Sequence, residues 1–300
     1  MKQTVTKIEI ENWFRELQDS ICKQLELADG KGKFIEDNWT RAEGGGGRSR
    51  VISGGEVIEK GGVMFSAVGG KTPPAILKAL KLEEADFYAT GVSIVLHPVN
   101  PWCPIIHMNT RYFEMSSGVS WFGGGIDLTP HYIIPEDASY FHNKLKSVCD
   151  TYNPDYYSEF KKWADDYFFI KHRNETRGIG GIFFDRLSEQ ATITLGDRFK
   201  FVQEVGKLFA PLYTEILQRN KNKVYTENEK KWQMLRRGRY VEFNLVYDKG
   251  TKFGLDTNGR TESILMSMPP VANWDYNVQT IPGSKEEYTL ANLKKDVNWI

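Results

Sequence analysis

The sequence lacks the features that mark several large classes of protein. It has only three cysteines among 300 residues, Cys22, Cys103 and Cys149. Their wide spacing matches neither a disulfide framework nor a zinc or iron–sulfur site. No apolar run approaches the roughly 20 residues that a membrane-spanning helix needs. The formal net charge at pH 7 is +0, so bulk charge gives no reason to expect a nucleic-acid or membrane partner.

What the sequence does have is an ordinary globular composition with many aromatic side chains. Hydrophobic residues make up 40% and aromatic residues 13%, which suits one sizeable core and either an aromatic core or a large apolar pocket. There is no internal repeat and no linker, so we predict a single domain over residues 1–300. The N-terminal helix is rich in acidic residues, unlike a basic transit peptide, and this favours a cytoplasmic location.

Two predicted strands, residues 92–96 and 105–113, carry the best candidate site. Side chains two apart in a strand share a face. If the strands pair with matching faces, one face carries the following polar residues: Ser93, His97, His107, Asn109 and Arg111. A face with a proton donor and a fixed cation suits an acidic substrate. A solvent-exposed sheet face would show the same pattern, so the sequence leaves both interpretations open.

A run of three glycines, Gly123-Gly124-Gly125, stands just before Asp127. Glycines in a strand are unfavourable for backbone entropy, so we expect either close approach of a flat ligand or a β-bulge. Asp127 lies in an apolar stretch, where a carboxylate is either paired or positioned to meet donors on a ligand. A second glycine-rich stretch, residues 177–181, precedes a predicted strand and is therefore not a dinucleotide-binding fingerprint.

Beyond residue 130 the patterns predict mainly helices. Apolar residues recur at helical spacing within residues 135–220 and again over residues 227–237. Alternation over residues 240–247 predicts a strand, and residues 263–268 predict another that ends at a proline pair.

Several long ungapped segments of the chain carry a specific resemblance. Two of them are His107-Met108-Asn109-Thr110-Arg111-Tyr112-Phe113 and Trp121-Phe122-Gly123-Gly124-Gly125-Ile126-Asp127-Leu128-Thr129-Pro130. The others cover residues 161–169, 172–173, 177–185, 236–244 and 259–267. These segments closely resemble the oxygen-dependent coproporphyrinogen III oxidase family. They follow one another through nearly the whole chain, which makes the resemblance far more specific than a single short motif.

The resemblance implies a fold, an assembly and a reaction. The fold would be of the α/β class (α+β type), with a large, mainly antiparallel central sheet flanked by helices on both faces. The assembly would be a homodimer with residues 240–275 at its interface. The reaction would convert two propionates of coproporphyrinogen III to vinyl groups, giving protoporphyrinogen IX, with O2 as oxidant and no required cofactor. Oxygen-independent enzymes for the same conversion use an iron–sulfur cluster, which the scattered cysteines do not suit.

The resemblance also implies roles for individual residues. His107 would be the proton donor, and Arg111 a cation of the catalytic site. Asp127 is expected to accept hydrogen bonds from pyrrole N–H groups. Substrate contacts would lie at Ser93, Asn109, Thr110, Arg111, Asn258, Gly259 and Arg260. Alternation turns the Thr110 side chain away from its neighbours, so its contact would be made by the backbone. The remaining arginines are expected to form structural ion pairs.

Metal dependence is the main open question. Some related bacterial enzymes are described with a divalent metal at positions matching His97, His107, His142 and His172, whereas others work without metal. The long spacing of these histidines is weak support for a shared site, so we expect no essential metal. Two other functions stay open: a tetrapyrrole-binding carrier without turnover, and a metal-dependent oxygenase with another substrate.

Overall fold

A seven-stranded antiparallel sheet forms the centre of the computed structural model, which describes residues 5–72, 77, 84–256 and 259–300. Its neighbouring strands follow chain order until the last, which is added at the edge after a helical excursion. The strands are β1 (Ile35–Thr40), β2 (Gly45–Ser53), β3 (Ile58–Lys71), β4 (Asp86–Pro98), β5 (Ile105–Met115), β6 (Ser120–Thr129) and β9 (Gly181–Leu187). A small separate hairpin pairs β7 (Phe169–Ile170) with β8 (Glu175–Thr176).

Helices surround this sheet. They are α1 (Lys7–Asp29), α2 (Pro135–Tyr152), α3 (Tyr156–Tyr167), α4 (Leu195–Asn220), α5 (Glu227–Val246), α6 (Lys249–Asp256), α7 (Thr261–Leu265) and α8 (Lys285–Asn292). Local sequence explains the ends of α1: Thr6 and Glu9 form a capping box, and Gly30 ends the helix with φ +84°. In the described part of the chain, no helix has both the length and the apolar character for a membrane span.

The two faces of the sheet are covered unequally. One face is apolar and shares a single core with α1, α2 and α4, in which Ile94 and Met108 are fully buried. The opposite face is polar, and α5 covers only one end of it, where Tyr240 packs against Val95 and Ile105. The predicted α/β class with an antiparallel sheet and helices on both faces is therefore confirmed, and the polar face leaves room for a site.

Two predicted strands are wrong. Residues 240–246 continue helix α5 through Gly238, and Tyr240 on this helix packs against Val95 and Ile105 of the sheet. Residues 263–268 begin within α7, where Ser263 and Met266 both reach the sheet, as the i, i+3 spacing of a helix allows. Both segments thus contact the sheet as helices, and alternation over a few residues was a weaker signal.

Candidate active site

Strand register brings the predicted polar residues onto one face. Ser93 lies opposite Asn109 on β5, and Asn109 lies opposite Gly125 on β6. Two residues away on β5, His107 lies opposite Asp127 of β6. Because side chains alternate, Arg111 and His97 project from the same face. The structure thus supports the grouping that alternation predicted, although His97 is fully buried beneath α5, close to Tyr240.

The middle of this face is a floor of glycines. They alternate with the polar residues in matching register and comprise Gly47, Gly62, Gly91, Gly123 and Gly125. A Cβ at Gly123 would collide with Asp185 Oδ1 and lie 2.8 Å from Arg111 Nη2. A bulge is present as well, because the register between β6 and β9 shifts beside Gly123. Most of the floor is buried, and neighbouring side chains lie against it, for example Trp39 at Gly47 and Met266 at Gly62. Because the glycines add no side chains of their own, the floor is flat, which suits a flat ligand.

His107, Asp127 and Arg177 form a buried chain of hydrogen bonds. His107 Nδ1 lies 2.7 Å from Asp127 Oδ1, and Arg177 Nη2 donates to Asp127 Oδ2 at 2.6 Å. Burial raises the pKa of Asp127, but the charge of Arg177 and the His107 hydrogen bond outweigh it, so the pKa lies below its usual range. An ionised carboxylate only accepts hydrogen bonds, so His107 Nδ1 carries the proton. His107 Nε2 is then the atom that can exchange a proton with a ligand.

Asp127 is therefore paired rather than open to the cleft. Its side chain is 2% exposed, and each carboxylate oxygen already has a partner. Of the two alternatives for a carboxylate in an apolar stretch, the structure supports pairing. Direct hydrogen bonds from pyrrole N–H groups would require one of its oxygens to exchange a partner.

Arg177 is the main site residue that sequence reasoning missed, because it was grouped with the structural arginines. Its guanidinium is stacked among aromatic rings, 4.3 Å from the centre of Phe168 and 4.7 Å from that of Tyr240. The glycine-rich stretch that follows lets the chain lie against β6, since a Cβ at Gly178 would collide with the Leu128 carbonyl. Gly178, Gly180 and Gly181 were the feature of the sequence that could have pointed to this close contact.

Arg111 is held beside the glycine floor by two polar neighbours. Its Nη1 donates to Asn109 Oδ1 at 2.8 Å, and its Nη2 donates to Asp185 Oδ1 at 2.8 Å. The guanidinium is thereby fixed on rigid strands with its remaining donors available to a carboxylate. Thr110 points to the opposite, apolar face and is fully buried, so its side chain does not reach the polar face.

Arg260 stands at the other side of the floor. Just before α7, its Nη2 pairs with Asp37, and its Nη1 donates to Ser49 Oγ at 3.3 Å. Ser49 and Asn109 lie in one row across the sheet, three strand spacings apart, or roughly 14 Å. One guanidinium group, that of Arg111, thus lies among the floor glycines between Gly91 and Gly123, and the other, that of Arg260, lies at the β2 side. Gly259 adjoins Arg260, whereas Asn258 lies outside the described residues.

The four histidines considered as metal ligands do not share a site. His97 Nε2 lies 2.8 Å from the Ser267 carbonyl, and His142 is held between Tyr157 Oη and the Ile179 carbonyl. His172 contacts Glu242 instead. Burial lowers the pKa of His97 and of His142 to about 3, so both rings are neutral. Within the described ranges, no three or more His, Cys, Asp or Glu side chains are arranged to hold a metal, and a four-histidine site does not fit this fold.

The other arginines form ion pairs, as predicted. The pairs are Arg236 with Glu175, Arg237 with Glu59, and both Arg173 and Arg239 with Glu242. They tie α5 to the strands and to the β7–β8 hairpin, at a distance from the glycine floor.

Comparison with known proteins agrees with this geometry. A family model described as coproporphyrinogen III oxidase matches residues 9–299. The chain is 46% identical to the oxygen-dependent coproporphyrinogen-III oxidase of Prochlorococcus marinus strain MIT 9312 over 308 residues, which cover 95% of this chain and 90% of the relative. The protein of the same name from strain SARG of that species is 46% identical over 320 residues, covering 99% of this chain and 93% of the relative. The chain belongs to the coproporphyrinogen III oxidase family.

Proposed function

We propose that this chain catalyses the oxidative decarboxylation of two propionates of coproporphyrinogen III to vinyl groups, giving protoporphyrinogen IX for haem synthesis. The observation that carries the proposal is the glycine floor, which shares its face with two guanidinium groups and with the His107–Asp127 pair. A flat tetracarboxylate matches both the floor and the cations.

Substrate binding rests on these two arginines. Arg111 and Arg260 would each hold a carboxylate through a bidentate guanidinium contact, which gives orientation as well as affinity. Ser93 lies between them and Asn109 lies beside Arg111, and both would supply further polar contacts. The backbone at Thr110 and Gly259 would complete the set, and a contact at Asn258 stays a prediction.

Each decarboxylation removes two electrons from a propionate arm. The C–C bond to the carboxylate breaks and releases CO2, and a hydrogen leaves the side-chain carbon attached to the pyrrole ring. O2 takes up the two electrons, with two protons, and becomes hydrogen peroxide. His107 would transfer a proton through Nε2. Asp127 would stabilise positive charge that develops on the electron-rich macrocycle, acting through His107. In this scheme O2 is a co-substrate, and neither an organic cofactor nor an essential metal takes part.

Anaerobic mixing of chelator-treated protein with coproporphyrinogen III, followed by oxygen and product analysis, tests the proposal. We expect protoporphyrinogen IX and CO2 only after oxygen is added. The main rival is a tetrapyrrole carrier, which would bind the substrate without forming product. A metal-dependent oxygenase on another substrate would leave coproporphyrinogen III unchanged in all conditions.

We further propose a homodimer that uses the region predicted for the interface, residues 240–275. Large apolar side chains are exposed there, namely Leu245, Val246, Phe253, Leu255, Val271 and Trp274. Exposed apolar side chains concentrated in one region favour association. Val246→Asp should convert the dimer to monomers in sedimentation experiments, because the new charge would be buried without a partner. The matched control is Val224→Asp, at an exposed valine outside this region.

We also propose a cytoplasmic location, which the cysteines support. Cys22, Cys103 and Cys149 are buried and unpaired. Burial raises the pKa of each thiol to about 12, so they stay protonated and poorly reactive. Localisation of a tagged full chain in its host would test this proposal.

A further inference from the structure

We infer that Asn244, on helix α5, is a positioning residue that acts through Arg177 and Asp127 to hold His107 in a single tautomer. The inference deepens the proposed function and rests on it for its catalytic meaning. Its structural content, the state of the His107 ring, can be measured without substrate.

The contacts form one continuous path from α5 to the polar face of the sheet. Asn244 Oδ1 accepts a hydrogen bond from Arg177 Nη1 at 2.7 Å, and Arg177 Nη2 donates to Asp127 Oδ2 at 2.6 Å. Asp127 Oδ1 then binds His107 Nδ1 at 2.7 Å. The inner three residues are all buried, with 4% exposure or less. Since water is excluded, each partner depends on the next for its orientation.

The hydrogen bond that Arg177 donates to Asn244 fixes the orientation of the guanidinium group. The rings of Phe168 and Phe243 both lie against Arg177, and their centres are 5.5 Å apart, so they pack on adjacent sides of it and supply no hydrogen-bond acceptor. With Nη1 fixed by Asn244, Nη2 is directed at Asp127. Asp127 keeps its own rotamer because both oxygens are held, and His107 must present Nδ1–H to it.

The neutral amide at position 244 has a further consequence. Asn244 accepts a hydrogen bond without adding a negative charge, so the full charge of Arg177 stays committed to Asp127. Asp127 then remains ionised in its buried place, as its lowered pKa indicates. An ionised Asp127 is what makes the Nδ1–H tautomer of His107 obligatory.

The test combines NMR of the histidine ring with steady-state kinetics of the full-length protein. Asn244→Leu removes the acceptor at nearly constant size. We expect ¹⁵N spectra of the His107 ring to change from one tautomer to a mixture. We also expect kcat to fall roughly tenfold or more, while KM stays within about twofold, because the arginines that would hold the substrate are untouched. Asn244→Asp restores an acceptor but adds a negative charge that competes with Asp127 for Arg177, so it should restore the single tautomer only in part.

A matched control makes the result specific. Asn228→Leu places the same change on an exposed position of the same helix and should alter neither the His107 spectrum nor kcat. If Asn244→Leu does not fold, Asn244→Ser, which is too short to reach Arg177, replaces it and should give the same mixture of tautomers. A folded variant at position 244 with an unchanged His107 spectrum and unchanged kcat would overturn the inference.

The inference and the proposed function fail in different ways. If wild-type protein forms no protoporphyrinogen IX but the His107 tautomer still depends on residue 244, the proposed function is wrong and the positioning role stands. If wild-type protein turns over and the tautomer is independent of residue 244, only the positioning role is wrong.

Discussion

Asp127 and Arg177 form an ion pair in which each side chain is only 2% exposed and the two charged atoms lie 2.6 Å apart. A pair so deeply buried is rarely a large net source of stability, but removing one partner leaves an uncompensated charge. Asp127 comes from strand β6 and Arg177 from the loop before β9, so the pair also joins two neighbouring strands beside the cleft. Asp127 therefore contributes both to folding and to the proposed chemistry.

Asp127→Asn tests both roles. Turnover should fall roughly 100-fold or more, because the negative charge that would stabilise a cationic transition state is lost. The free energy of unfolding should also fall, by roughly 3 kcal/mol, because Arg177 stays buried without a counter-ion. Single-turnover rates and denaturant midpoints on one preparation measure the two effects.

The control for this variant is Asp137→Asn, at a buried aspartate that accepts from Asn220 at 2.6 Å, away from the cleft. It should lower stability and leave turnover per folded molecule unchanged. Normal turnover in Asp127→Asn would rule out the electrostatic role.

Gly123→Ala should weaken substrate binding without abolishing folding. The added Cβ would collide with Asp185 and approach Arg111 Nη2 to 2.8 Å, so the Arg111–Asp185 pair must move. We expect KM to rise roughly tenfold, equivalent to one charge-assisted hydrogen bond. Gly250→Ala is the control, since its Cβ would meet only Asp248 at 3.3 Å. An unchanged KM would mean that Arg111 does not hold substrate.

Arg260→Ala should weaken substrate binding by on the order of 1.5–3 kcal/mol, the range for a hydrogen bond to a charged group. Arg260→Lys should restore binding only in part, because an ammonium lacks the planar fork. Anaerobic equilibrium titration measures the affinity. The control is Arg15→Ala, which removes an exposed arginine paired with Glu11 on α1. A substrate affinity within error of wild type would show that Arg260 pairs with Asp37 and does not bind substrate.

Exhaustive chelation should leave activity unchanged. The prediction follows from the scheme in which O2 reacts with the substrate directly, and from the separate bonding of the four histidines. Metal content and turnover are measured on the same sample. Loss of activity that one divalent ion restores would contradict it, and His97→Ala should then lose the metal.

Glu242 should make the protein more stable at neutral than at acid pH. Burial raises the pKa of this carboxyl, but Arg173, His172 and Arg239 outweigh it and bring the pKa from 4.5 to about 2. Because the folded-state pKa is depressed, the stabilisation is complete above about pH 5 and is lost as pH falls towards 2. Glu242→Gln should remove roughly 2 kcal/mol at pH 7, since solvent screens part of the interaction, and should flatten this pH dependence.

Urea midpoints across the pH range measure the Glu242 effect. Glu204→Gln, at an exposed glutamate paired with Lys207, is the control and should change stability little. Equal pH dependence in Glu242→Gln and wild type would show that other carboxylates dominate acid unfolding.

Local pattern in the sequence was sufficient for much of the sheet and for its polar face. The alternation of His107, Asn109 and Arg111 places them together whatever the rest of the chain does, because side chains in a strand repeat every two residues. Capping and periodicity likewise predict α1. The family resemblance added Arg260, which no pattern near residue 260 would select.

Tertiary structure decided what periodicity could not. Residues 240–247 have a short alternation compatible with a strand, yet residues 240–246 are helical in the fold, where Tyr240 of α5 packs against Val95 and Ile105. Asp127 was open to two interpretations, and Arg177, 50 residues away, settled it by pairing with the carboxylate. Such a choice depends on which distant group shares a buried space, because the free energy of an ionised side chain is set by its desolvation and its partners. The sequence names those groups, but only the fold brings them within hydrogen-bond distance.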